Sequence, residues 1–354
     1  MCDCSTISWW LAAWRALHFL ACLLPVGLLT FHLLVAAPVF QARSGPSRAT
    51  TLLIGIALLL ALVSGIGWLL VIAGNIGDVT PVEAMRSGVV TTVLNQTQFG
   101  ATWRLRAVFW LIATAASAWM LWRKRPSLTT AWTCLIASAA LLASLAWAGH
   151  GVDGDGNAAT FHVIADATHL LAGGLWPFGL APFAVALFKL QRQNTPPRRG
   201  GVLDAVTEHS FPSPGGPGVE ERSAPSVLIA SQEALQPRWG DAAALTRRFS
   251  AGALICVVLL TFTGLVNCWF MFPSISSLWR SGYGRMLLLK IAVFLPMIVF
   301  AAMNRLALKP RLLAGKDPVA VTIALRRNVI IEFVLANAVI LIVALLGLLM
   351  PPMP

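Results

Sequence analysis

This sequence predicts an all-α, polytopic transmembrane bundle of about eight spans. Three observations predict it. The 354 residues are 57% hydrophobic and only 11% charged, where a soluble domain carries about 25% charged residues. Mean hydropathy is +0.76. Apolar runs of the roughly 20 residues needed to cross a bilayer recur along the chain, and Trp9, Trp10, Trp122, Trp147 and Trp279 stand near their ends, as in interfacial aromatic belts.

The spans read as 9–37, 51–74, 102–122, 127–149, 160–189, 249–272, 285–307 and 327–350. The third is short, held between Arg106 and Arg123. Residues 78–100 are too polar to cross and are expected at the interface. The opening segment lacks the basic region and cleavage site of a removable signal peptide, so it reads as a retained helix. Residues 191–246, with Ser-Phe-Pro-Ser-Pro-Gly-Gly-Pro-Gly at 210–218, read as a disordered cytoplasmic linker in which His209 is a solvated side chain. The expected organisation is a first four-span unit (1–149), an outer histidine loop with span 5 (150–190), the linker (191–246), and spans 6–8 completing a second four-span unit (247–354).

Charge sets the orientation. The net charge is +12, and nineteen of the 26 Lys and Arg lie in or beside the loops after spans 1, 3, 5 and 7. The positive-inside rule puts those loops in the cytoplasm and both termini outside. No basic stretch forms a separate domain, which argues against a nucleic-acid partner; the expected solvent is the lipid bilayer. Four of the six cysteines (22, 134, 256 and 268) lie inside apolar spans, so no disulfide framework is indicated. Cys2 and Cys4 read as a tail.

The two groups of four spans resemble each other. Arg15-Ala-Leu-His18-Phe-Leu-Ala-Cys-Leu-Leu24 and Asp166-Ala-Thr-His169-Leu-Leu-Ala-Gly-Gly-Leu175 share five of ten positions, the histidine included. Ser64-Gly65 in span 2 matches Thr263-Gly264 in span 6. Phe99-Gly100, followed by Arg106, matches Tyr283-Gly284, followed by Lys290. These matches in one order predict a tandem repeat of two parallel units, with a site expected at their shared interface.

Ionisable residues inside spans are costly and usually functional. At 100° per residue, His162, Asp166 and His169 fall on one face of span 5, continued by Gly173 and Trp176. Arg15 and Asp166 hold equivalent repeat positions with opposite charge and are expected to pair across the halves. His150, Asp153, Asp155 and His162 cluster around the outer loop. Imidazole suits copper, zinc, nickel and iron, and thiolate or thioether favours Cu(I). Asp153-Gly-Asp155-Gly-Asn157 fails as a calcium loop at Ala158 and Ile164. Asn267, Lys290, Asn304 and Glu332 line a polar path or satisfy one another. His32 reads as a hydrogen-bonding partner between helices, and Met271, Met350 and Met353 as ordinary apolar residues. No nucleophile signature, P-loop, CxxC or HExxH appears, so neither an enzyme nor an ATP-driven pump is expected. Two histidines at similar depth, His18 and His169, suit copper; they also suit a bis-histidine haem b in an electron-transfer protein.

The sequence also resembles the copper resistance D family of bacterial inner-membrane proteins. The resemblance rests on Arg15-Ala-Leu-His18, Gly149-His150, Asp166-Ala-Thr-His169-Leu-Leu-Ala-Gly-Gly-Leu-Trp176, Arg248-Phe-Ser250, Thr263-Gly-Leu-Val-Asn267, Tyr283-Gly-Arg285 with Lys290, Asn304-Arg305, Glu332 and Pro351-Pro352. It implies copper handling across the inner membrane alongside periplasmic copper-binding proteins, with His150, His169, Trp176, Asn267, Tyr283 and Lys290 as family positions. One departure is Pro177-Phe178, where a Leu-Gly step is expected; a kink in span 5 should follow. The combined expectation is a copper transporter with ligands at His18, His150, His162, Asp166 and His169, and a path through Arg15, Trp176, Asn267, Tyr283, Lys290, Asn304 and Glu332.

Overall fold

The computed structural model describes residues 4–148, 156–194 and 239–352. His150, Asp153, Asp155 and residues 195–238 of the expected linker lie outside them. Among the described residues, eight helices are long and apolar enough to cross a membrane: Trp9–Phe40, Arg48–Gly77, Gln98–Trp122, Leu128–Trp147, Gly156–Asn194, Trp239–Met271, Gly282–Leu313 and Pro318–Leu346. Each answers one span read from the sequence.

Helix α1 (Cys4–Thr30) carries Pro25 and runs through a π-helical turn, Phe31–Ala36, to Phe40. Helix α2 (Arg48–Gly77) follows, its first turn capped by the Ser47 hydroxyl, which accepts from Thr50 N. Residues 78–100, expected at the interface, hold the short helices α3 (Pro81–Arg86) and α4 (Val89–Gln96). Helices α5 (Gln98–Trp122) and α6 (Leu128–Ala143) complete the first four spans. The loops before α2 and α6 are tied together where Gly45 N donates to Pro126 O at 2.7 Å.

Span 5 breaks where Pro177-Phe178 predicts. Helix α7 (Gly156–Leu175) ends, a single 3₁₀ turn spans Pro177–Gly179, and α8 (Leu180–Asn194) continues. Then come α9 (Trp239–Met271), the short α10 (Ser276–Arg280), α11 (Gly282–Met303), whose end unwinds through a π-helical turn at Asn304–Leu308, and α12 (Pro318–Leu346). The linker bounds therefore need correcting: 191–194 and 239–246 are helical. Helix α12 likewise starts nine residues before the expected 327. Hydropathy sees only the apolar part of a helix, and these extensions carry charges such as Arg247, Arg248 and Arg326.

Lipid tails are as apolar as leucine, so packing rather than hydrophobic burial holds the helices together, and small residues permit close approach. A side chain at Gly27 of α1 would collide with the backbone of Phe178, and one at Gly67 of α2 with the Trp14 ring. Two cores result. One joins α1, α2, α5 and α6 around Phe19, Leu29, Leu58, Trp68 and Leu142, with Phe178 added from the 3₁₀ turn. The other joins α8, α9, α11 and α12 around Trp176, Phe183, Leu245 and Val329, with Phe31 and Val35 added from the lower part of α1. Helices α2 and α5 pack directly on each other, whereas α9 and α11 scarcely touch. A cavity of about 300 Å³ lies between them, lined by Trp176, Phe249, Ser250, Asn304, Arg305 and Glu332 among others.

Candidate functional site

Helices α7 and α9 run antiparallel, and their facing residues meet turn by turn. The expected stripe His162, Asp166 and His169 meets Phe270, Asn267 and Thr263. His162 stacks on Phe270 with ring centroids 4.7 Å apart and 8° between planes. Asp166 Oδ1 accepts from Asn267 Nδ2 at 3.2 Å. His169 Nδ1 lies 2.9 Å from Thr263 Oγ1. The Thr263 hydroxyl donates to Leu259 O at 2.6 Å, so its oxygen accepts from His169 Nδ1–H. That assignment leaves the lone pair of His169 on Nε2.

Polar atoms without a partner are left over along this seam. His162 Nε2 and Asn267 Oδ1 are buried without a hydrogen-bond partner. Buried polar atoms are normally satisfied, and each exception calls for a reason. A cation passing down the seam would meet imidazole nitrogen, amide oxygen, carboxylate and imidazole again over about 10 Å of helix rise. Among the described residues, no three His, Cys, Asp or Glu side chains converge closely enough to hold a metal ion. The seam is thus a series of contacts, not a closed cage. Lys290 acts electrostatically on both Asp166 and His169. Close by, the Tyr283 hydroxyl donates to Met271 Sδ at 2.9 Å.

Below the seam, Trp176 is buried against Phe294, with ring centroids 6.3 Å apart, and lines the cavity between α9 and α11. Across that cavity Glu332 accepts from Asn304 Nδ2 at 2.6 Å, and Asn304 Oδ1 accepts from Asn328 Nδ2 at 2.9 Å. The π-helical turn is what presents Asn304 and Arg305 there. Arg305 is held by Ser250, through its carbonyl at 3.0 Å and its hydroxyl at 3.2 Å.

His18 sits in a separate pocket. Its Nδ1 is 3.0 Å from Ser64 Oγ, whose proton goes to Leu60 O, so Nδ1–H donates to that oxygen. Its Nε2 accepts from Arg106 Nη2, Cys22 Sγ is 3.6 Å away, and Trp68 and Trp103 flank the ring. No hydrogen bond or ring contact joins His18 to His169. The haem b alternative finds no support, because the nitrogen that would bind iron is taken by Arg106. Arg15 does not pair with Asp166, correcting that expectation: its Nη1 donates to Gly347 O at 3.2 Å and its guanidinium lies 5.0 Å from the Trp68 ring. Tyr283 stands in the field of both. His32 Nε2 lies 3.2 Å from Ser44 O, so it ties α1 to the loop before α2 and not to another helix, correcting that expectation.

Sequence reasoning missed Phe270, Trp68 and Trp103, and took Arg106 as the edge of a short third span and the match of Lys290, whereas it is buried within the 25-residue helix α5. The spacing Thr263, Asn267, Phe270 carried the signal, since its steps of four and three put those residues on one helical face.

Residues 243–346 match the family model Copper resistance protein D, and residues 5–160 match Copper resistance protein D-like, N-terminal domain. The chain belongs to the copper resistance protein D family. Helix α7 begins inside the first matched stretch, and its part with His162, Asp166 and His169 lies between the two. Copper resistance protein D of Pseudomonas syringae pv. tomato is 27% identical over 265 residues, covering 74% of this chain and 71% of that protein. Copper transport protein CutJ of Bacillus subtilis (strain 168) is 25% identical over 223 residues, 63% of this chain. The chain spans only 33% of that relative's length. No solved structure matches. With its eight apolar helices, this member of the family is a multi-pass membrane protein.

Proposed function

We propose that this protein carries copper across the bacterial inner membrane along the seam between α7 and α9. The observation that carries the reading is the row of polar atoms there: His162 Nε2 and Asn267 Oδ1, both without a partner, with Asp166 and the Nε2 of His169 on the same face. Imidazole and carboxylate are copper ligands, and a chain of weak contacts lets a cargo ion leave as readily as it arrives. The copper names of the two relatives support the same class.

In this reading the basic loops face the cytoplasm and both termini the periplasm. His150 and His162 take copper from the outer side, where periplasmic copper-binding proteins deliver it. Asp166 and His169 pass it inward, with Asn267 completing the contact and Lys290 balancing the carboxylate while the seam is empty. Trp176 marks the way into the cavity, and Asn304 and Glu332 line the route below. No bond is made or broken in the cargo; the chain acts as a carrier and not as an enzyme.

Copper accumulation in cells expressing wild type or His169→Ala tests this. Accumulation above the empty vector is expected for wild type and its loss for the variant. Equal accumulation, with both proteins present in the membrane, overturns the reading.

A further inference from the structure

The two histidine pockets share one construction. His18 and His169 each donate from Nδ1 to a hydroxyl, Ser64 or Thr263, that donates in turn to the carbonyl four residues earlier. A glycine follows each hydroxyl, and a side chain there would meet the imidazole Cε1: 3.2 Å from Gly65 to His18, 3.6 Å from Gly264 to His169. Helices α5 and α11, which bring Arg106 and Lys290, both begin with a hydroxyl cap on a glycine N–H: Thr97 on Gly100 and Ser281 on Gly284. What differs is the second ring nitrogen. Arg106 bonds His18 Nε2, whereas Lys290 makes no hydrogen bond to His169.

The geometry points to Arg106 as a built-in cation that occupies the metal position of the first pocket and closes it to copper. Its guanidinium donates to the one lone pair that His18 has for a metal, beside the Cys22 thiol, and it is clamped by Leu141 O at 3.0 Å and Ser144 Oγ at 2.8 Å. A guanidinium keeps its charge in proteins and donates through a rigid fork. It is therefore a permanent occupant, not a mobile one. Without it, His18 Nε2 and Cys22 Sγ, one helical turn apart on α1, form an N,S pair of the kind that takes Cu(I). Binding would exchange the thiol proton for copper, S–H giving S–Cu(I) with one proton released and no electron transferred. The product of neutral imidazole, thiolate and Cu(I) has no net charge, as a buried site requires.

This inference rests on the reading that the second unit handles copper, but its test is a difference in stoichiometry and stands apart from transport. Purified protein is titrated anaerobically with Cu(I) against a chromophoric Cu(I) chelator, and proton release is followed. Arg106→Met is expected to bind one more Cu(I) per chain than wild type, releasing one more proton. Adding Cys22→Ser or His18→Asn to that variant should remove the gain. A folded Arg106→Met protein with wild-type stoichiometry overturns the proposal. Should Arg106→Met fail to fold, His18→Asn and Cys22→Ser alone decide: each is expected to leave wild-type copper binding unchanged, and loss of bound copper in either overturns it. Wild type that binds no copper while Arg106→Met binds one supports this proposal, and the transport reading is then decided by the accumulation test alone.

Discussion

His162 presents a ring stacked for packing and a nitrogen with no partner. Those two properties separate under substitution. His162→Phe keeps the stack on Phe270 and deletes the orphan nitrogen. Removing an unsatisfied buried group should raise stability by about 1 kcal/mol, read as a higher Tm in detergent, while copper accumulation falls. Accumulation at the wild-type level would show that the nitrogen meets no copper. His162, Asp166 and His169 were legible in the sequence because 100° steps put them on one face of one helix. The partners of Arg15 were not. Opposite charges at equivalent repeat positions implied Asp166, but Arg15 reaches a carbonyl near the end of α12 and the face of Trp68. Carbonyls and aromatic faces occur everywhere in an apolar sequence and leave no pattern to read. The same holds for Arg106, whose acceptors are an imidazole, a carbonyl and a hydroxyl.

Among the elements, the break in span 5 and the seat of α1 depend on each other. Gly27 packs against the backbone of Phe178, so Gly27→Leu should cost about 1–3 kcal/mol through overpacking. The expected result is a lower Tm; an unchanged Tm would mean that the 3₁₀ turn shifts freely. At the interface, α3 is held by a capping box in which Thr80 N and Oγ1 donate to Glu83 Oε2 at 3.0 and 2.9 Å. These bonds hold the Glu83 carboxyl below its ordinary value of 4.5. A depressed carboxyl stabilises the folded form above its ordinary pKa, and the effect is lost as pH falls through the lowered one. Hydrogen-exchange protection of 81–86 should drop in acid for wild type and be already reduced at neutral pH in Thr80→Ala; equal protection in both at neutral pH would argue against the box. All eight spans were legible, since a run of apolar residues states its own solvent. The polar ends of α9 and α12 were not, because helix continues by backbone bonding after the apolar signal stops.

At the scale of the molecule, the chain's halves are joined by packing as much as by sequence. Helix α12 packs on both α1 and α8. Fragments 1–194 and 239–354, co-expressed, should therefore assemble and copurify; two fragments present in one membrane that do not copurify would contradict this. Helix α1 has a further consequence. Its upper length belongs to one core and its lower end, with Phe31 and Val35, to the other. A beam built into two walls cannot serve as a hinge between them. The halves are therefore not free to rock as rigid bodies, the motion that alternating access commonly uses. In the transport reading, any movement of one half past the other would have to repack α1, whereas α9 and α11 already stand apart across a cavity.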